Sequence, residues 1–307
     1  DPGKRIGDTW YYVEENICHC FYLICPDTLP RHQCWDIAHA TSRDLIHWTK
    51  HGVVLPKGQA GEWDCSCLST GSVIRFDTRY WMAYSGKWDG EIVQIGLAVS
   101  DDLHTWKKCN WNPVCKPDGE LYAKRGRGVR TFCHWRDPFL FIDGGKVYMI
   151  TCATHPDAPA DGCGTVGICC TEDMRHWRLL PPIAIDPIAQ ELECPQILQI
   201  EDRYILLFSC YEKLFCHQLQ QKYGTALRQT SYYMTSNHRW GPYQFEEQLQ
   251  LLPMYETDRD RSVQYANRLI QFKSRWFLMG TVWSEQGDYI ADPMEYSLLD
   301  GKLCLNK

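Results

Sequence analysis

The sequence predicts an all-β chain, a five-bladed β-propeller forming a single domain over residues 1–307, and three observations carry that prediction. A tryptophan-bearing turn recurs, a β-hairpin recurs five times, and no stretch has the pattern of a long amphipathic helix. Short four-stranded sheets set around an axis account for all three, because radial repetition leaves only short, protected strand edges.

The turn comes first. Ser42-Arg43-Asp44-Leu45 is followed by Trp48, Ser100-Asp101-Asp102-Leu103 by Trp106, and Thr171-Glu172-Asp173-Met174 by Trp177, with a weaker copy from Thr235-Ser236-Asn237 to Trp240. Each follows a short apolar run, such as residues 95–99 or 166–170, so the unit reads as a turn leaving a strand. Its Asp side chain is placed to cap the free amides of that turn, and the tryptophan to cover the strand ends.

The hairpins follow in chain order: residues 10–13 with 18–23, 73–76 with 80–84, 139–142 with 147–151, 197–200 with 204–208, and 269–272 with 276–279. The third turns through Asp143-Gly144-Gly145-Lys146, a polar, glycine-bearing hairpin loop. Five units of roughly 60 residues use up the 307 residues of the chain.

Placing the hairpins in register yields a site. His19, Trp81, Tyr148, Tyr204 and Trp276 serve as equivalent points, and eleven residues before them stand Asp8, Thr70, Asp137, Glu193 and Tyr265. If each hairpin opens with the innermost strand of a blade, those positions meet at one end of the central channel. Three of them are acids. Carboxylates crowded into a partly dry pocket cannot all ionise normally, so one is pushed toward its protonated form while another stays a base or nucleophile. That division of labour suits glycoside cleavage, in which one acid protonates the departing oxygen and a second attacks the anomeric carbon or activates water. Binding of a hard cation is the other chemistry open to such a cluster, but the chain lacks a D-x-D-x-D-G loop, and no metal is expected.

Composition narrows the partners. The chain is 44% hydrophobic and 23% charged with a net charge of −6 and no basic cluster, which excludes nucleic acid as an expected partner. No apolar run approaches the ~18 residues that span a bilayer, so no membrane is expected either. Seventeen cysteines, an odd number without any C-x-x-C, read as buried reduced thiols rather than as staples or metal ligands. The expected compartment is therefore the cytoplasm, or the exterior if a signal peptide has been removed, and no cofactor is expected. The oligomeric state is left open.

Around the three acids, Trp10, Trp63 and Trp135 are candidates to stack on the apolar faces of a sugar, and Thr70 shares the register position. Arg136 is placed to orient hydroxyls or to hold Asp137 ionised. Cys194 is expected to keep the surroundings of Glu193 apolar and so raise its pKa. His39, His47 and His134 read as structural groups.

These motifs resemble those of glycoside hydrolase family 32, the invertases and fructanases. Trp135-Arg136-Asp137-Pro138 resembles the R-D-P element of that family and Glu193-Cys194-Pro195 its E-C element. In support, residues 36–48 resemble its S-x-D-L-x-H-W stretch, Thr70-Gly71-Ser72 its S-G-S segment, and His19-Cys20-Phe21-Tyr22 its H-L-F-Y strand. The resemblance implies Glu193 as acid/base, Asp137 as transition-state stabiliser and Asp8 as nucleophile. It also implies a retaining hydrolase acting on terminal β-D-fructofuranosides such as sucrose or short fructans. Two departures stand out: Ile6-Gly7-Asp8-Thr9-Trp10 lacks the Asn and Pro of the usual W-x-N-D-P-N-G motif, and the C-terminal β-sandwich of typical members is not expected here. The alternatives are an inverting arabinofuranosidase of the family 43 type and a carbohydrate-binding propeller without turnover.

Overall fold

The computed structural model describes residues 2–29, 34–88, 92–245, 263–284 and 287–306. Its strands fall into five separate antiparallel sheets taken in chain order, a five-bladed propeller. Blade one holds β1 (Lys4–Glu14), β2 (Ile17–Pro26), β3 (Asp36–Ser42) and β4 (Thr49–Leu55). Blade two holds β5 (Cys67–Phe76), β6 (Arg79–Trp88), β7 (Ile92–Ser100) and β8 (Lys107–Lys108). Blade three is β9 (Arg136–Asp143), β10 (Lys146–Thr154), β11 (Gly164–Thr171) and β12 (Arg178–Leu180). Blade four contributes β13 (Glu193–Ile200), β14 (Arg203–Cys210) and β15 (Thr230–Ser236), and Thr235 then bridges to Gln244. Blade five has β16 (Val263–Phe272), β17 (Arg275–Trp283), β18 (Tyr289–Ile290), β19 (Met294–Leu299) and β20 (Lys302–Leu305). Among the described residues the one α-helix is the short α1 (His217–Tyr223).

All five hairpins fall where the pattern of the sequence put them. Their tips pair identically, Glu14 with Ile17, Phe76 with Arg79, Asp143 with Lys146, Ile200 with Arg203 and Phe272 with Arg275. The recurring turn also folds as its chemistry dictates. Asp44 Oδ1 accepts the amides of Ile46 and His47 at 2.9 and 2.8 Å, and Asp102 and Asp173 repeat the arrangement. The next residue takes a left-handed φ in each copy, Leu45 at 68°, Leu103 at 66° and Met174 at 60°. Trp48 and Trp106 then donate back to the carbonyls of Leu45 and Leu103.

Packing between neighbouring sheets makes the core. Ile150, Val166, Leu206 and Phe208 join blades three and four, while Trp10, Phe21, Leu68 and Met82 join blades one and two. All seventeen cysteines are free thiols and thirteen of them are buried, as the scattered spacing predicts. The innermost strands β1, β5, β9, β13 and β16 touch in cyclic order, so the ring closes between β16 and β1. Thr281 Oγ1 donates to the Gly7 carbonyl at 2.6 Å across that seam.

Candidate active site

Each innermost strand breaks its pairing register at one place: between Ile6 and Thr9, Ser69 and Gly71, Arg136 and Phe139, Glu193 and Gln196, and Tyr265 and Arg268. These are β-bulges, which bend a strand and re-aim its side chains. Asp137, Cys194 and Ala266 occupy left-handed backbone there, at φ 57°, 50° and 51°. Proline follows at 138 and 195, and a bulge tolerates it because no ladder donor is needed. The backbone groups released by the bulges are met by neighbouring blades. Asp137 N donates to Ser85 Oγ at 2.8 Å, Cys194 N to Asp137 Oδ2 at 3.1 Å, and Arg268 Nη1 to the carbonyls of Cys194 and Pro195 at 2.7 and 2.9 Å.

Five bulges around one axis gather Asp8, Thr70, Asp137, Glu193, Cys194 and Tyr265 onto one cavity of about 250 Å³. The five positions eleven residues before those anchors are not all equivalent. Tyr204 and Trp276 are the second residues of their strands, whereas His19, Trp81 and Tyr148 are the third of theirs. Measured from the hairpin tips, the equivalents of Asp8, Thr70 and Asp137 are Cys194 and Ala266, and Glu193 stands one residue earlier, at the position equivalent to Arg136.

The contacts divide the acids accordingly. Asp8 Oδ2 accepts from Thr70 Oγ1, with Cys194 Sγ 3.8 Å away. Glu193 Oε2 accepts from the Tyr265 hydroxyl. Its Oε1 accepts from Arg136 Nη2 at 2.7 Å, while Arg136 Nε lies 3.5 Å from Asp137 Oδ2. One buried guanidinium thus bridges two of the three acids, and it also binds the buried Glu191 through Nη2 at 2.5 Å. Arg130 Nη1 reaches Glu191 at 3.0 Å and Glu193 at 3.5 Å.

Burial pushes the Asp8 carboxyl up to about 6, the Thr70 hydrogen bond opposes that rise, and repulsion from Asp137 and Glu193 adds to it. Burial also raises Asp137, against the pull of Arg136. Removing the Thr70 hydroxyl is therefore expected to raise Asp8 further. For Thr70→Val, the acidic limb of kcat/KM should move up by about one pH unit, since a hydrogen bond to a charged group is worth about 1.5–3 kcal/mol. An unmoved limb in the pH–rate profile would detach Thr70 from Asp8 ionisation.

The tryptophans are placed differently from the sequence expectation. Trp10 is 1% exposed and stacks on Phe21 in the core between blades one and two. Trp135 is 2% exposed, donates to the Cys115 carbonyl at 2.8 Å and packs on Tyr122. Trp63 stacks on Tyr84 and fills the space over Gly86 and Gly96. None of the three lines the cavity; its aromatic walls are Trp35, Phe132, Tyr211, Tyr265 and Trp283. Trp35 and Trp283 sit at strand ends without a motif, which left them unmarked in the sequence. Cys194 is placed on the cavity, but its thiol faces Asp8 and Thr70 rather than Glu193.

Residues 9–295 match the family model described as glycosyl hydrolases family 32 N-terminal domain. The match begins one residue after Asp8, so the place of Asp8 rests on the bulge geometry. Among curated proteins, a sucrose-6-phosphate hydrolase of Zymomonas mobilis is 25% identical over 222 residues, 68% of this chain and 40% of that protein. The chain thus spans about 40% of the length of that relative. Among solved structures, an inulosucrase from Halalkalicoccus jeotgali bound to kestose superposes with a TM-score of 0.77 at 19% identity, covering 99% of this chain and 87% of that one. A thermostable family-43 glycoside hydrolase superposes at 0.71 with 16% identity, covering 99% and 93%. At such identities the structural likeness establishes a shared fold.

Proposed function

The chain belongs to glycosyl hydrolase family 32, and from that premise we propose that it hydrolyses terminal β-D-fructofuranosides such as sucrose and short fructans, with retention of configuration. The observation that carries the reading is one small cavity holding Asp8, Asp137 and Glu193, two of them tied to the same arginine. Asp8 attacks the anomeric carbon and forms a fructosyl-enzyme ester. Glu193 gives its proton to the departing oxygen, then takes one from the water that cleaves the ester. Asp137, fixed by the Cys194 amide and Arg136, accepts hydrogen bonds from sugar hydroxyls as charge builds on the ring. Trp35 and Trp283 supply apolar walls, and a volume of about 250 Å³ admits one sugar ring, which favours attack at chain ends.

One observation favours a second reading of the substrate. Lys87 and Arg130 line the same cavity, so an anionic substituent on the leaving sugar has cations to meet. Sucrose 6-phosphate, named for the curated relative, fits that description.

The test is incubation with sucrose, sucrose 6-phosphate, kestose, inulin, levan and aryl arabinofuranosides, with proton NMR of the first sugar released. Free fructose appearing first as the β-anomer is expected. Arabinose would assign the chain to the inverting alternative, and saturable binding of fructose without turnover would make it a sugar-binding propeller. A kcat/KM at least about tenfold higher for the phosphorylated sucrose, about 1.4 kcal/mol, would select the anionic substrate.

A further inference from the structure

Away from the carboxylates, blades one and two bring four histidines together. His39 on β3 is fully buried, and its ring stacks on that of His19 from β2, with His19 Nδ1 and His39 Nε2 3.0 Å apart. His51 on β4 and His104, in the turn after β7, close over them with ring centroids 4.8 and 4.9 Å from His39. One ring nitrogen from each of His39, His51 and His104 lies within 4.8 Å of the other two.

Two local devices make this convergence. The β3–β4 pairing skips a residue between His39–Gly52 and Ala40–Lys50, so His51 falls on a bulge that re-aims its side chain. In the recurring turns of blades one and three, His47 and His176 bond back to Asp44 and Asp173 at 2.7 and 2.6 Å. In blade two the histidine stands one position earlier. Asp102 holds its amide at 2.9 Å, and its ring meets His39 and His51 instead. His39 Nδ1 is buried with no hydrogen-bond partner among the described residues. When His39 donates from Nε2 to His19, that Nδ1 presents an uncompensated lone pair. Thr41 Oγ1 lies 2.9 Å from His51 Nε2, and a His51 that donates there presents its Nδ1 lone pair as well.

We propose that His39, His51 and His104 form a binding site for a borderline-soft divalent cation, zinc being the fitting example, at the junction of blades one and two. Neutral imidazoles are the preferred nitrogen ligands of such ions. Ligation takes the neutral imidazole, the form that burial favours at His39 and His51. Three ligands at Zn–N distances near 2.0–2.1 Å stand about 3.4 Å apart, so the exposed rings of His51 and His104 close inward by about 1 Å on the fixed His39. Solvent completes the tetrahedron. The site joins two blades, and none of the three residues lines the carboxylate cavity.

The test titrates the full chain with zinc, and separately with cobalt, by calorimetry and by the visible absorption of tetrahedral cobalt. One equivalent is expected to bind, with the tetrahedral cobalt spectrum and a rise in Tm that grows with metal concentration. His51→Ala and His104→Ala, both at exposed positions, should weaken binding more than about tenfold and abolish the Tm response while melting normally without metal. Thr41→Val, which removes only the orienting partner of His51, should weaken it about 10–100-fold. Metal binding that persists unchanged in His51→Ala and His104→Ala would place the ion elsewhere and overturn the proposal, as would no saturable binding by the unmodified chain.

Discussion

Replacing Asp8 with Asn is expected to lower kcat at least about 10³-fold, because the amide cannot form the ester through which the proposed reaction divides. Glu193→Gln should cost about 10²–10⁴-fold on sucrose and far less on an aryl fructoside whose leaving group departs without a proton. Equal losses on both substrates would remove Glu193 from proton transfer. The pH dependence follows from the raised Asp8 carboxyl: kcat/KM should fall as pH drops through about 6, where Asp8 becomes protonated. The same group acts on stability in the opposite sense. Its folded pKa of about 6 exceeds the ordinary 3.8, so the native state holds the extra proton. The advantage is present in full below about pH 4 and is lost as pH rises through 6. At pH 7 the ionised Asp8 therefore costs up to about 3 kcal/mol, discounted for its partial exposure to the cavity. Asp8→Asn should melt higher than the parent at pH 7 and show little gain at pH 4. Equal gains at both values would mean that relief of charge is not the cause.

The largest loss of stability is expected from Arg136→Met. Arg136 is 7% exposed and stands among Glu191, Glu193 and Asp137, so its removal leaves acids facing one another in a dry pocket. Breaking a buried pair from one side costs about 3–5 kcal/mol, and Arg130 recovers only part of this through its contacts with Glu191 and Glu193. Arg136→Lys keeps the charge but loses the fork that reaches two carboxylates at once, and should fall between the two. Urea unfolding midpoints check the order. A methionine variant within 1 kcal/mol of the parent would show that the acids share protons rather than depend on the guanidinium.

The propeller was legible because its signals are local. A hairpin declares itself within about fifteen residues through alternation and turn chemistry, and the Asp of each recurring turn bonds to amides two and three positions on. The convergence of Asp8, Asp137 and Glu193 was legible for the same reason, since equal distances from equal hairpins lead to one end of one axis. What failed was resolution at the level of single residues. Tyr204 and Trp276 lie one position off the other anchors, and that slip made Glu193 look equivalent to Asp137 when Cys194 is. The tryptophans misled through proximity in sequence. Residues two apart in a regular strand share a face, but the bulges at residues 6–9 and 136–139 break that alternation, so Trp10 and Trp135 turn into the inter-blade core while the acids two residues away face the cavity. Trp35 and Trp283 reach the cavity from strand ends, a placement set by the assembled ring. Glu191, two residues before the E-C-P motif, gave no sign in the sequence of its bond to Arg136.

The seam between blades one and five joins the parts of the propeller that are farthest apart in sequence. Asp8 stands in the first blade, yet the Thr281 hydroxyl that fastens its bulge lies more than 270 residues further along the chain. The proposed site is therefore complete only once the fifth blade docks on the first, and a chain that has folded its first four blades holds Asp8 without that fastening.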